Sequence, residues 1–105
     1  MPKYLIERHI PALGTFSAQQ LMDVARQSVS VLTSLGPSIQ WLHSFVTRDK
    51  LFCVYISPNV DLIKERARLG GFPCDKVTEV LSVIDPLTAE GMIWGPKHEV
   101  AAGAA

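Results

Sequence analysis

Alternation comes first. In KYLIERHI, residues 3–10, Tyr4, Ile6 and Ile10 fall on one side, and Leu5, Glu7 and His9 on the other. A period of two is the mark of a strand. Pro11 and Gly14 break it. The period then changes. Ala18, Leu21, Val24, Ala25, Val29, Val31, Leu32 and Leu35 recur at helical spacing, with Ser17 as N-cap and Gln20 three residues on to complete a capping box. Gly36 supplies the residue after the helix and Pro37 forbids its continuation.

Two more strands follow, IQWLHSFV (39–46) and LFCVYIS (51–57), joined by the polar turn Thr47-Arg48-Asp49-Lys50. So short a connection makes them an antiparallel hairpin. Pro58 and Asn59 open a second helix over 60–69, which Gly70-Gly71 ends; Asp61, Lys64, Glu65, Arg66 and Arg68 read as its solvated face rather than an anion site. VTEVLSVI (77–84) is the fourth strand, closed by Asp85-Pro86. The order βαββαβ, with right-handed crossovers, predicts an α+β fold of ferredoxin-like type. Its four-stranded antiparallel sheet carries two helices on one face. Residues 1–90 form this domain. Residues 91–105 are a Gly/Ala/Pro-rich tail with a flexible end, and Met92, Ile93 and Trp94 are apolar enough to dock on the body or a partner.

Two helices leave the other sheet face bare, and its composition carries the functional argument. If Thr47 opposes Lys50, then Phe45 opposes Phe52, His43 opposes Val54, and Trp41 opposes Ile56. The bare face then holds Trp41, His43, Phe45, Phe52, Val54 and Ile56, together with Leu5, Glu7 and His9. Leu42, Ser44, Val46, Leu51, Cys53 and Tyr55 face the helices. An apolar patch of this size is rarely left in water. A homodimer packed through the helix-free face is the expected cover; the alternative is the tail folding back over it.

Within the patch, Glu7 and His9 sit at i and i+2, about 6.5–7 Å apart along the strand. His43 comes from a second strand. A carboxylate and two imidazoles make a competent ligand set for nickel or another divalent transition metal. They can equally satisfy one another by hydrogen bonds. His98 lies in the tail. Cys53 reads as core, and Cys74, in a loop, as a possible reactive thiol without an assigned base.

The remaining signals narrow the class. Ten basic and ten acidic residues balance in 105, which disfavours a nucleic-acid binder. No window reaches the length of a membrane span, and charges at Lys3, Glu7 and Arg8 interrupt any leader-like apolar run, so a cytoplasmic location is expected. Neither G-x-S-x-G, a Walker loop nor G-x-G-x-x-G is present, and no C-x-x-C.

The opening MPKYLIERHIP, the block IQWLHSFVTRDKLFCVYISPN, the run GGFPCDKVTEV and the close VIDPLTAE resemble the bacterial DUF4242 family over residues 1–90. Its best-known member is an actinobacterial nickel-binding protein. The resemblance rests on the acidic-x-His pair Glu7-Arg8-His9 and on the run from Cys53 to Pro58. It implies a dimeric ferredoxin-like α/β protein that binds nickel, with Glu7, His9 and His43 as metal residues. Two positions depart from the family pattern: Ile56 stands where relatives often carry Glu, and the stretch Lys64-Glu65-Arg66-Ala67-Arg68 lacks a helix histidine. The implied function is that of a non-catalytic metal-binding homodimer. Two alternatives stand beside it. One is a small monooxygenase- or isomerase-like enzyme of the dimeric α/β barrel type, with His9 or His43 as general base; an enclosed pocket beside either histidine would favour it. The other is a plain dimerising interaction module.

Overall fold

The structure, a computed structural model, describes residues 1–91; the tail, with Met92, Ile93, Trp94 and His98, lies outside the described residues. The elements run β1 (Lys3–His9), α1 (Ala18–Leu35), β2 (Gln40–Val46), β3 (Lys50–Ile56), α2 (Val60–Gly70), β4 (Lys76–Val80) and a short α3 (Pro86–Ala89). The strands form one antiparallel sheet in the order β2-β3-β1-β4. This is the α+β arrangement expected from the sequence, and β1 sits in the middle of it.

Local chemistry sets the boundaries. Ser17 Oγ accepts from the Gln20 N–H at 3.1 Å, and the Gln20 side chain accepts from the Ser17 N–H at 2.8 Å, closing the capping box on α1. Asn59 caps α2 by accepting from the Leu62 N–H. Gly71, at φ 67°, ends α2 in the left-handed conformation that glycine takes without strain. In the hairpin turn, the Thr47 N–H and hydroxyl both donate to the Lys50 carbonyl, at 2.9 and 2.8 Å.

The core lies between sheet and helices. Tyr4 and Ile6 of β1, Leu51, Cys53 and Tyr55 of β3, and Ile63 and Ala67 of α2 are buried. Coverage is uneven. Strand β3 alternates buried and half-buried positions, whereas edge strand β2 has no buried residue, and Ser28 alone is buried on α1. Strand β1 follows its sequence pattern: the even positions face the helices and the odd positions the open side.

Two expectations are corrected. The fourth strand ends at Val80, not at residue 84. Leu81, Val83 and Ile84 are exposed beyond it. The Asp85-Pro86 pair starts a helix rather than merely ending a strand: Asp85 accepts from the Thr88 N–H, and Pro86 takes the first turn, where its missing N–H costs nothing. The second correction concerns Trp41. It opposes Tyr55, and Gln40 opposes Ile56, because a bulge at Leu42 inserts one extra residue between Trp41 and His43. An extra residue reverses the side of everything beyond it. Trp41 therefore turns to the helix side, where its indole N–H donates to Ser44 Oγ at 2.9 Å. His43 opposite Val54, and Phe45 opposite Phe52, stand as expected.

Candidate functional site

The helix-free face presents three rows of residues across the sheet. Leu5, Val54 and His43 form one, Glu7, Phe52 and Phe45 the next, and His9 with Lys50 the third. Lys76 on β4 is the other neighbour of Glu7, its ammonium 4.0 Å from a Glu7 carboxylate oxygen. His43 and Phe45, two residues apart, meet edge to face with ring centroids 5.1 Å apart. The surroundings are apolar: Leu5, Phe52, Val54 and Ile56 are half-buried and Phe45 is 56% exposed.

Glu7 and His9 are thus side by side, as the alternation of β1 requires. His43 shares their face but not their place. Two strand spacings set it about 10 Å to the side, in the row of Leu5, one pleat from Glu7 and two from His9. Among the described residues no three His, Cys, Asp or Glu side chains gather closely enough to hold a metal ion within one chain. Asp75, which the sequence reading passed over, lies beside the end of β1. It accepts from the His9 backbone N–H, while its own N–H donates to the Glu7 carbonyl at 3.0 Å.

The opposite face holds what sequence reasoning missed. Arg8 and Arg66 are each 1% exposed. For Arg66 this corrects the solvated-face reading of the Lys64–Arg68 stretch: Ile63, Arg66, Ala67 and Gly70 are the buried stripe of α2, and the arginine sits on it. The signal was available, since 63, 66, 67 and 70 are helically spaced, and Arg8 follows Tyr4 and Ile6 on the inward side of β1. The Arg66 guanidinium lies over two aromatic rings, 4.7 Å from the centroid of Tyr55 and 4.8 Å from that of Phe72. Arg8 lies 5.7 Å from the Phe72 centroid and donates to the Pro73 carbonyl. Gly70 makes room for this stack, because a Cβ there would stand 2.4 Å from the Phe72 ring.

Neither arginine has a carboxylate partner among the described residues. Arg8 Nη2, Arg66 Nε and Nη1, and the Tyr55 hydroxyl are buried without hydrogen-bond partners. Burial pushes the Tyr55 phenol up to about 12, against the pull of the Arg66 charge and of Arg8, whose guanidinium approaches the phenol oxygen without making a hydrogen bond of good geometry, so Tyr55 stays a neutral hydroxyl at any physiological pH. Burial and the repulsion of Arg8 lower the Arg66 pKa from its ordinary value, while the neighbouring Tyr55 opposes the shift. These three residues line a cavity of about 180 Å³ between the sheet and α1. Among the described residues no histidine lines it. A pocket beside His9 or His43, the feature that would favour histidine base catalysis, is not what this cavity provides.

An antiparallel sheet of this order with two helices on one face defines a ferredoxin-like α+β protein. The crystal structure of SCO4226 from Streptomyces coelicolor A3(2) has the same fold, superposing with a TM-score of 0.66 at 10% identity over 78% of this chain and 99% of that one. A family model, nickel responsive protein SCO4226-like, matches residues 4–80, and the chain belongs to that family. The family is of the same kind as the DUF4242 proteins the sequence resembles, although the match does not carry that name. No curated protein matches the chain in sequence. No helix among the described residues is long and apolar enough to cross a membrane.

Proposed function

We propose that the chain is a small, non-catalytic, cytoplasmic protein that binds nickel, or a similar divalent transition metal, as a homodimer joined through its helix-free sheet face. One observation carries the reading: in a member of a nickel-responsive family, Glu7 and His9 stand side by side on an apolar face that no helix among the described residues covers. Carboxylate and imidazole are suitable donors for nickel. The surrounding Leu5, Phe45, Phe52, Val54 and Ile56 lose water when a second copy packs on them. A bound ion then offsets the cost of burying Glu7 and His9.

The separation of His43 from the pair gives the dimer a chemical role. Glu7 and His9 are two donors, short of a full coordination sphere. A second sheet packed about 10 Å above the first brings further donors, and His43 of the facing subunit is the expected one. Lys76, 67% exposed at its side chain, swings into solvent when a cation takes its place beside Glu7.

The test is metal analysis and calorimetry on protein purified without a histidine tag, beside Glu7→Ala, His9→Ala and His43→Ala. The expected result is nickel binding that either of the first two changes abolishes and the third weakens. Protein that takes up no nickel, or takes it up equally well without Glu7 and His9, refutes the reading. Phe45→Asp, expected to give monomers in sedimentation, tests the dimer separately.

A further inference from the structure

We propose that the cavity between the sheet and α1 is a binding site for a small organic monocarboxylate with a flat apolar body, held by Arg8, Arg66 and the Tyr55 hydroxyl. The site lies on the opposite side of the sheet from Glu7 and His9, so it stands or falls independently of the metal reading.

The cavity holds a charge that no described residue balances. Two guanidinium groups, each 1% exposed, share one small interior space with no carboxylate partner among the described residues. Arginine keeps its charge even there. Buried charges in proteins are paired or hydrogen-bonded, because desolvation is otherwise too costly. The aromatic rings of Tyr55 and Phe72 relieve part of that cost for Arg66 by cation–π contact. The rings accept none of its N–H groups in a conventional hydrogen bond, and Nε and Nη1 remain unpartnered and free for an acceptor. Arg8 adds Nη2, which meets no partner in good geometry, its position fixed by the bond to Pro73, and Tyr55 adds a hydroxyl whose oxygen lies near Arg8 and whose proton is unplaced. Donors outnumber acceptors in this space. A carboxylate is acceptor-only, with two oxygens able to take about four hydrogen bonds.

The walls select the rest of the ligand. Leu21, Val24, Ala25, Trp41 and Leu51 line the same space. At about 180 Å³ it is comparable with the ~150 Å³ apolar cavity that accepts benzene. A phosphate or sulfate would satisfy the arginines but leave these walls facing a strongly hydrated ion. An aromatic carboxylate meets both demands, its ring against Trp41 and Val24 and its charge on Arg8 and Arg66. Val46, half exposed, also lines the cavity and marks where it meets solvent. The bulge at Leu42 contributes directly, since it is what turns Trp41 inward.

Phenylacetate is the probe, titrated into the full chain by calorimetry, with phenylacetamide and inorganic phosphate as controls. Saturable binding of phenylacetate at one molecule per chain is expected, with a shift of the Trp41 indole N–H resonance. The amide and phosphate should bind at least about ten-fold more weakly, the loss expected when a charge-assisted hydrogen bond or an apolar contact is removed. Arg66→Met should weaken phenylacetate about ten- to a hundred-fold; Tyr55→Phe, which keeps the ring beneath Arg66, should weaken it less. Glu7→Ala should leave it unchanged. If Arg66→Met does not fold, the wild-type comparison of acid with amide decides alone. Absence of saturable binding, or equal affinity for acid and amide, overturns the anion site. Equal affinity for phosphate overturns the apolar half of the proposal.

Discussion

The two faces of the sheet reverse the usual distribution of charge and grease. The helix-covered side carries Arg8 and Arg66 among Tyr4, Ile6, Tyr55 and Ile63. The uncovered side carries Leu5, Phe45, Phe52, Val54 and Ile56 around Glu7, His9 and His43. Interiors are normally apolar and surfaces mixed. Each departure is what one of the two proposals addresses: an anion beside the buried cations, and a second surface over the exposed apolar rows. Neighbouring residues on one strand belong to both situations, since Glu7 and Arg8 are adjacent in the chain yet serve opposite sides.

Adjacent alanine substitutions on β1 break this comparison most sharply. Ile6, fully buried, should cost about 2–5 kcal/mol on truncation to Ala, measured by urea unfolding. Leu5, its half-buried neighbour on the open side, should cost about 1 kcal/mol in an isolated chain. If Leu5→Ala costs as much as Ile6→Ala at high protein concentration, and its cost falls on dilution, a partner covers the open face. The next effect concerns alkaline pH. The Tyr55 phenol is raised to about 12 from an ordinary 10, so the folded chain keeps a proton that the unfolded chain gives up. Its contribution is whole below pH 10 and is lost as pH rises through 12, by roughly 2–3 kcal/mol, and Tyr55→Phe should remove that slope from the stability profile.

Smaller effects sharpen the picture of the helix side. Gly70→Ala puts a methyl into the Phe72 ring and should cost about 1–3 kcal/mol in chemical unfolding, with loss of the Arg66 stack visible in the near-ultraviolet circular dichroism. Ser17→Ala removes the cap of α1 and should cost about 1 kcal/mol, read as a lowered thermal midpoint.

Most of the fold was legible because local rules agreed with the global one. The alternation of β1, the capping box at Ser17-Gln20, and the Thr47–Lys50 turn each had a direct physical reading, and each appears in the structure. The misplaced residues have specific causes. A bulge changes the face of a strand without altering its composition, so nothing in QWLHSFV distinguished Trp41 outward from Trp41 inward. Arg66 stands among Lys64, Glu65 and Arg68, and its neighbours suggested a solvated face; only its spacing from Ile63 and Gly70 identified the buried stripe. The exposed run from Leu81 to Ile84 alternates well enough for a strand, but β4 pairs with β1 only as far as Val80, which meets Lys3 near the start of the chain. Of the candidate site, the pairing of Glu7 with His9 followed from period two alone. The distance to His43 depended on β3 lying between the two strands.

The position of β1 has a consequence for how the molecule comes into being. Strand β1 lies inside the sheet, yet its neighbours, residues 50–56 and 76–80, come well after it in the chain. The β2–β3 hairpin can close locally in about 1–10 μs once made, but β1 must be held over long loops, an entropic delay that slows assembly. During translation the segment bearing Glu7, Arg8 and His9 emerges before β3 and β4, the strands that flank it, and β4 at the edge of the sheet pairs with it alone. Both faces therefore take shape when β1 joins the β2–β3 hairpin, and β4, pairing with β1 on its other side, only extends the sheet.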